Sequence, residues 1–431
     1  MALQESRARE ELLTGAPSTR RPGGLAPWTR AARRLGILGP MLLCTAQVAF
    51  NYLRLDLPAS FVARHRSDPR AYHLFLASHF AYSDLYTLFW HHHLYRHPLP
   101  YIDIRIEYPV VLGLYMTAAA GLTTGVKAYF LLSSIGLWAC ALGCVWCLWA
   151  VSKRAAWAFA LSPLLLVFSL LNWDLVGILF MLLGWRAWRR DRYLLSALFL
   201  TIGTFAKLYP IFLLFFCFVA LARRAQQGRV AWAVLGRFLA VAAAAGAMLN
   251  LPFVFIDERR WAYFYVFNEE RNQRVSVLYW WHILTAHSSA VLANDLWAAL
   301  VLALVAVGAL LIWRGSDATK VAAVSFVFFL ALQKVYSPQY LLWAFVFAVI
   351  AEWDGWALAA ISLVGLAGYS SAALLEYLGA HSPLTAIWYA RNVKPLERDL
   401  RLSLLLATGT VAAMKGRVRE RFRPVLLHAR S

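Results

Sequence analysis

The first residue whose surroundings suit catalysis is an aspartate in a long polar segment, residues 54–108. Within that segment, apolar side chains recur at helical spacing at Tyr82, Leu85, Tyr86, Phe89 and Trp90. Asp84, Thr87 and His91 share a stripe apart from this aromatic face. Apolar surroundings can raise the pKa of a carboxylate until it serves as a general base. Asp84 is therefore a candidate base and His91 a candidate substrate contact, although an interfacial aspartate can also be simply solvated.

A second set of charges follows in the same segment. Asp103, Arg105 and Glu107 alternate with isoleucines, so in an extended conformation the three side chains face one way. Pro109 then stops the extended segment and begins the next helix. The pattern predicts a carboxylate–guanidinium–carboxylate wall, with Asp103 and Arg105 binding substrate and Glu107 as a second catalytic candidate. It also fits an exposed loop edge.

Polar residues interrupt apolar runs at three later points: Asp174 in Asn-Trp-Asp, Lys207 ahead of Leu-Tyr-Pro, and Lys334 and Gln339 on either side of Val-Tyr-Ser-Pro. An ionisable group at membrane depth costs at least ~2.5 kcal/mol and suggests function, with snorkelling to the interface as the rival explanation. Basic groups here suit a phosphate, whereas carboxylates suit base catalysis and sugar hydroxyls. Lys207 is expected either to bind a donor phosphate or to pair with Asp174.

The charged and aromatic segment 255–293 contributes two further substrate-binding candidates, Arg271 and His282. This segment equally fits a solvated loop with an interfacial aromatic anchor. Three consecutive histidines at 91–93 resemble a metal-binding tract, but consecutive helical residues point in different directions. Cys140, Cys144 and Cys147 share a helical face and fit helix packing better than metal ligation. We therefore expect no metal site.

Composition indicates an integral membrane protein. Of the 431 residues, 61% are hydrophobic and only 15% are charged, against about a quarter charged in soluble domains. The formal net charge of +20 is concentrated in clusters that flank apolar runs, which is typical of cytoplasmic loops rather than of nucleic-acid binding. The apolar runs lie at about 35–53, 129–151, 155–171, 175–188, 193–206, 208–222, 231–254, 294–313, 319–334, 340–352, 356–376 and 400–414.

These runs predict an all-α, polytopic helical bundle with about twelve spans and a long first external loop, 54–108, that carries interfacial helices. A further run at 109–123 is expected to be re-entrant or half-depth, because both basic termini should then lie in the cytoplasm. We expect residues 1–34 to form a disordered basic cytoplasmic leader, 35–414 a single transmembrane domain and 415–431 a basic cytoplasmic tail. All the polar clusters described above then lie on the extracytoplasmic side.

The order of several short motifs resembles the glycosyltransferase C superfamily, membrane enzymes that use lipid-phosphate-linked sugars. The motifs are Tyr82-Ser83-Asp84, Pro100-Tyr101-Ile102-Asp103, Glu107-Tyr108-Pro109, Asn172-Trp173-Asp174, Lys207-Leu208-Tyr209-Pro210 and Ser337-Pro338-Gln339-Tyr340-Leu341-Leu342-Trp343. Within the superfamily they are most similar to the polyprenol-phosphate-mannose-dependent α-1,2-mannosyltransferases. Family members often have Gln where this chain has Asn172 or Trp173, and the three histidines are not part of the family pattern.

The resemblance implies a hexosyltransferase that moves a sugar, with mannose favoured, from a polyprenyl-phosphate donor to an extracytoplasmic lipid or glycan acceptor with inversion. It makes Asp84 the general base and Lys207, Arg105 and Lys334 the groups that hold the lipid phosphate, with no cofactor. The expected partners are donor, acceptor and membrane lipids, and no nucleic acid. A transporter or flippase of lipid-linked glycans is the alternative, but no internal repeat supports it; a structural scaffold would not need charges that converge on one external segment.

Overall fold

The computed structural model describes residues 27–65, 68–271, 290–333 and 335–428. The chain forms two compact units, residues 1–39 and 40–431, and the first unit is described only from Pro27 onwards. The described residues are all-helical and contain no strands, which confirms the predicted all-α class. In order, the helices are α1 Pro27–Leu55, α2 Ala59–Arg64, α3 Pro69–Ser78, α4 Asp84–His91, α5 Val110–Gly121, α6 Val126–Trp149, α7 Lys153–Ala160, α8 Pro163–Phe168, α9 Asp174–Trp188, α10 Tyr193–Ala206, α11 Ile211–Gln226, α12 Trp232–Glu270, α13 Ala290–Trp313, α14 Ala318–Leu332, α15 Tyr340–Ile350, α16 Gly355–His381, α17 Pro383–Asn392 and α18 Lys394–His428.

Within the described ranges, five helical segments are long and apolar enough to cross a membrane: Gly36–Leu55, Val126–Trp149, Trp232–Glu270, Asn294–Trp313 and Gly355–His381. Four shorter apolar helices, of 10 to 17 residues, are α5, α10, α14 and α15. The run at 155–171, predicted as one span, instead forms the two short helices α7 and α8. Pro163 occupies the first turn of α8, where its missing N–H is tolerated, and it separates the two helices.

Residues 54–108 contain three helices, α2, α3 and α4, and a 3₁₀ turn, Leu94–Arg96. The stretch from 72 to 96 is therefore not one continuous helix. The break between α3 and α4 contains Phe80, whose φ of 51° is incompatible with a continuous helix. Leu85, Tyr86 and Phe89 are buried on one face of α4, as the spacing predicts. Tyr82 precedes α4, so the prediction that it belongs to that aromatic face was wrong.

The segment predicted as a loop from 255 onwards is helical as far as Glu270. Asp257 has non-helical φ and ψ angles of −153° and 91°, so α12 is two helical pieces joined at a kink. The Asp257 carboxylate accepts a hydrogen bond of 3.0 Å from the backbone N–H of Arg260. This contact caps the second piece at its start, because Oδ1 satisfies an N–H that has no partner within the helix.

Four helices have their two ends at two different cavities, and a fifth helix, α9, reaches the second of these cavities with its C-terminus. The first cavity is lined by residues at or just before the N-termini of α11 and α15, by the first described turns of α13 and by the residue after α14. The second is lined by the opposite ends of these four helices and by the C-terminus of α9. Asp174 begins α9 at the end nearer the first cavity, and α9 rises about 22 Å over its 15 residues. The two cavities are therefore roughly 20 Å apart along the helices.

Candidate active site

The first cavity, with a volume of about 690 Å³, contains several of the predicted site residues. It brings together five of them: Asp84, Glu107, Lys207, Arg271 and Gln339. Much of the rest of its wall is aromatic, with Tyr108, Tyr209, Tyr265, Phe267 and Trp297, and it also contains the polar residues Asn268, Glu269, Asn294, Asp295, Gln333 and Ser337. Polar groups that converge in a partly apolar cavity are typical of small-molecule sites. We call this space the active-site cavity.

Asp84 is fixed at the first residue of α4. The Ser83 hydroxyl accepts a hydrogen bond from the backbone N–H of Leu85 at 3.3 Å, which caps the helix. The backbone N–H of Asp84 donates to the carbonyl of Leu171 at 2.7 Å, so the loop before α9 holds the start of α4. The carboxylate is thus placed by backbone contacts to two elements that are far apart in sequence.

Two tyrosines donate hydrogen bonds to the Asp84 carboxylate. Tyr82 Oη donates to Oδ1 at 2.6 Å, and Tyr108 Oη donates to Oδ2 at 3.0 Å. Burial and the neighbouring charge of Asp84 keep the pKa of Tyr108 well above its ordinary value, so its hydroxyl remains a donor. Each carboxylate oxygen therefore keeps a lone pair for a further partner in the cavity.

Burial raises the pKa of Asp84 above its ordinary value of 3.8. The hydrogen bond from Tyr82, the charge of Lys207 and the hydrogen bond from Tyr108 oppose this shift in that order, because each stabilises the ionised carboxylate. A carboxylate with a raised pKa binds a proton more readily than an ordinary aspartate. That property suits the general base predicted from the sequence.

Lys207 lies against Asp174, with 2.8 Å between Nζ and Oδ1. The predicted pairing is confirmed, whereas the phosphate role remains a prediction. The Asp174 side chain is only 1% exposed and that of Lys207 13%, so the pair is buried at one side of the cavity. Asp174 Oδ2 has no hydrogen-bond partner among the described residues. Lys207 therefore supplies the charge that makes an ionised Asp174 tolerable there.

Gly177, one turn after Asp174, makes room for this pair. A Cβ added at Gly177 would lie 2.8 Å from Trp343 Cη2 and 3.3 Å from Lys207 Cβ. The former distance is too short for ordinary packing, so any larger residue would displace the fully buried Trp343 ring or the start of the Lys207 side chain.

Tyr108 connects the two charged groups. Its hydroxyl donates to Asp84, and the Lys207 ammonium lies 4.8 Å from the centre of its ring. The ring also packs edge-on against Trp173, with 5.7 Å between ring centres. Trp173 is fully buried, so Tyr108 has little freedom to turn. The base and the ammonium are therefore held by one rigid side chain.

Glu107 lies in a different environment from Asp84. Its Oε2 is 2.6 Å from Nε2 of the buried His92. Burial alone would raise the pKa of Glu107, but the hydrogen bond and charge of His92 outweigh burial and lower it below 4.5. Glu107 is thus held ionised, with one oxygen already engaged, which makes it a poorer base than Asp84.

The predicted three-charge wall is not formed. Residues 101–103 make a turn in which Tyr101 has a φ of 61°, so the segment is not extended. Asp103 is exposed and accepts a hydrogen bond from the backbone N–H of Leu99 at 2.7 Å. Arg105 is exposed and stacks on Tyr263, 5.1 Å from the ring centre. Of the three charges, only Glu107 lines the cavity.

The other candidates are distributed as follows. His91 is exposed at the end of α4 and does not line the cavity, whereas its neighbour His92 holds Glu107. Arg271 follows α12 and packs over Phe267 at 5.2 Å from its ring centre. Lys334 and His282 lie outside the described residues. The roles of Tyr82, Tyr108 and His92 were missed in the sequence analysis, although Tyr82 precedes Asp84 by two residues and Tyr108 directly follows Glu107.

Among the described residues, no group of three or more His, Cys, Asp or Glu side chains could hold a metal ion. The five cysteines form no disulfides with one another. The described cavity side chains offer proton transfer through Asp84 and positive charge for an anion at Lys207 and Arg271, and the cavity wall also contains the carboxylates Glu107, Glu269 and Asp295. No family model, characterised protein or solved structure matches the chain.

Proposed function

We propose that the protein is a membrane glycosyltransferase that moves a sugar from a polyprenyl-phosphate donor to a lipid or glycan acceptor, with inversion and with Asp84 as the general base. Mannose is the sugar that the family resemblance favours. The observation that carries the proposal is the placement of Asp84, with its raised pKa, in the same cavity as Lys207 and Arg271. A base and phosphate-binding cations side by side are what such a transfer requires.

In the proposed reaction, an acceptor hydroxyl gives its proton to the Asp84 carboxylate. The acceptor oxygen forms a bond to the anomeric carbon of the sugar, while the bond from that carbon to the phosphate oxygen breaks on the opposite face. The bonding electrons leave with the phosphate, which departs as polyprenyl phosphate. Lys207 and Arg271 stabilise that departing charge, which is greater in the transition state than in the donor.

The remaining cavity wall fits the rest of the donor. Aromatic side chains such as Tyr265, Phe267 and Trp297 provide faces against which sugar and isoprenoid groups can pack. Glu107 and Gln339 supply acceptors and donors for sugar hydroxyls. In this proposal the cavity opens on the extracytoplasmic side of the cell membrane, both termini are cytoplasmic, and no cofactor takes part.

The test is a transfer assay on the full-length protein in detergent. The donor is polyprenyl-phosphate mannose with a radiolabelled sugar, and the acceptor source is a membrane lipid extract. We expect label to pass from the acid-labile phosphodiester of the donor into products whose glycosidic bond survives mild acid. Label that stays in the donor in this assay, but crosses the bilayer in proteoliposomes, would instead support a flippase.

A further inference from the structure

The second cavity is an open basin of about 1010 Å³ at the helix ends away from the active-site cavity. Six cationic side chains line it: Arg189, Arg223, Arg224, Arg229, Arg314 and Lys320. Asp317 and Glu352 are the acidic residues in its wall. We call this space the basic basin. Its strong excess of positive charge attracts an anionic partner.

Two of these charged groups are already engaged. Arg224 Nη1 lies 3.2 Å from Asp191 Oδ1 and donates to Tyr193 Oη at 2.8 Å. Asp317 Oδ1 accepts hydrogen bonds from the backbone N–H groups of Thr319 and Lys320, at 2.9 and 3.1 Å. The N-terminus of α14 is thus occupied by its own cap, so side chains, and not a helix terminus, must bind an anion here.

The other five cations of the basin form no ion pair with any carboxylate in the part of the chain that the structure describes. Arg223 is half-buried and packs against the turn between α13 and α14. Gly315 in that turn has a φ of 117°, and a Cβ there would lie 3.2 Å from Arg223 Nη2. The guanidinium is therefore held beside a glycine backbone that leaves room for it.

An apolar groove of about 270 Å³ continues from the basin. The two cavities share Ser316, Lys320, Ala351 and Glu352. Beyond these residues the groove wall is mainly apolar, with Leu304 and Leu311 from α13 and Val324 and Phe328 from α14, and it also contains Ser325 and Asp354. Along α13, from Leu311 back to Leu304, the groove extends about 10 Å, at 1.5 Å per helical residue.

We propose that the basic basin and this groove together bind one anionic phospholipid. Its headgroup phosphate lies between Arg223 and Lys320, and one acyl chain enters the groove beside Val324. Basic residues at the ends of membrane helices also set the orientation of a protein across the bilayer, and that role is enough to account for the positive charge of the basin. Orientation alone does not account for an apolar groove that joins the basin at Lys320. The anionic headgroup matches the basic basin and the acyl chain matches the groove, so a ligand that fills both spaces needs both parts.

The test is native mass spectrometry of the delipidated full-length protein titrated with dioleoylphosphatidylglycerol or dioleoylphosphatidylcholine. We expect the anionic lipid to bind at least tenfold more tightly. Arg223→Gln with Lys320→Gln should weaken its binding about fivefold for each charge removed and weaken the zwitterionic lipid less, because choline offsets the charge of the phosphate that both lipids share. The control is Arg64→Gln with Arg70→Gln, which removes the same charge from exposed positions outside the basin and should not change binding.

A second variant tests the groove. Val324→Trp should weaken binding of the dioleoyl lipid and spare dihexanoylphosphatidylglycerol, because only the long chain enters the groove. Three results would overturn the proposal: equal affinity for the two dioleoyl lipids, an equal loss in the Arg64/Arg70 control, or displacement of the lipid by glycerol phosphate alone. The last would identify a site for a free anion instead.

Discussion

The active-site cavity and the basic basin are both lined by cationic side chains, but these side chains differ in burial and in ion pairing. The Lys207 ammonium lies 2.8 Å from the fully buried carboxylate of Asp174 and beside the Tyr108 ring, and the Lys207 side chain is only 13% exposed. In the basin, Arg189, Arg229 and Arg314 are exposed, and within the described ranges they have no ion-pair partner. The same charge is therefore part of a fixed polar network at one end and solvated at the other. Burial and pairing, more than residue type, distinguish a positioned catalytic group from an electrostatic surface.

The largest expected effect concerns the side of the membrane on which each cavity opens, because a cysteine there is either labelled from outside the cell or not labelled at all. In a cysteine-free background, His91→Cys and Arg105→Cys are exposed near the active-site cavity, and Arg189→Cys is exposed at the basin. We expect a membrane-impermeant maleimide to label the first two in intact cells and the third only after permeabilisation. Ser83 and Asn172 are fully buried and would be uninformative positions. Labelling of all three positions in intact cells would contradict the proposed orientation.

Asp84→Asn should reduce sugar transfer by roughly 10²–10⁴-fold, because an amide fills the same space but cannot accept the acceptor's proton. Thermal stability and donor binding should change little. The matched control is Asp68→Asn, at the start of α3, where either side chain can cap the helix. If Asp84→Asn keeps more than about a tenth of the rate while Glu107→Gln abolishes it, the roles of the two carboxylates are reversed.

Lys207→Met should lower the free energy of unfolding by about 3–5 kcal/mol, because it leaves Asp174 charged and buried without a partner. The double variant with Asp174→Asn should recover most of that stability but not transfer. The control pair is Lys127 and Asp56, 3.2 Å apart with side chains 36% and 32% exposed. Lys127→Met should cost only about 1 kcal/mol or less in the same thermal unfolding measurement. Recovery of transfer in the double variant would exclude the phosphate role of Lys207.

Tyr82→Phe should move the pH dependence of transfer. Asp84 acts as a base only when ionised, so activity falls as the pH drops through its raised pKa. Loss of the 2.6 Å hydrogen bond removes one group that favours the ionised form, and this raises the pKa further. The acidic limb should shift upwards by about one to two pH units, since a hydrogen bond to a charge contributes ~1.5–3 kcal/mol and one pH unit corresponds to ~1.4 kcal/mol.

The control for this shift is Tyr115→Phe, which loses a hydrogen bond of 2.9 Å to the carbonyl of Ser133, and Tyr115 does not line the cavity. Its acidic limb should match that of the parent. An unchanged limb in Tyr82→Phe would mean that Asp84 does not control the pH dependence.

The sequence predicted those parts of the site that depend on where apolar runs stop. Asp84, Lys207 and Gln339 stand at such boundaries, and helix ends that share a face of a bundle bring their residues together. The aromatic face of α4 was also predictable, because burial follows helical spacing. The bundle itself follows from the length and hydrophobicity of the runs.

Features that depend on local backbone conformation were not predictable. The turn at Tyr101 and the break at Phe80 both require positive φ at aromatic residues, which no spacing rule indicates. The partner of Glu107 is His92, not the adjacent His91, because the end of α4 turns one ring inwards and the other outwards. α12 continues as a helix after Asp257 because the Asp257 carboxylate caps the second helical piece. The many charged residues of this segment do not by themselves indicate such a cap.

The shortness of the helices between the two cavities is possible because other helices surround them. α9 and α14 each have 15 residues and α15 has 11, so they rise only about 22 and 17 Å, whereas a bilayer's hydrocarbon core is about 30 Å thick. In α15, 10 of the 11 residues are buried, and in α9 and α14 11 of the 15 residues are buried, so their neighbours are protein rather than lipid. The polar backbone groups at their ends are therefore enclosed by protein or line a cavity, and both cavities can extend into the thickness of the hydrocarbon core.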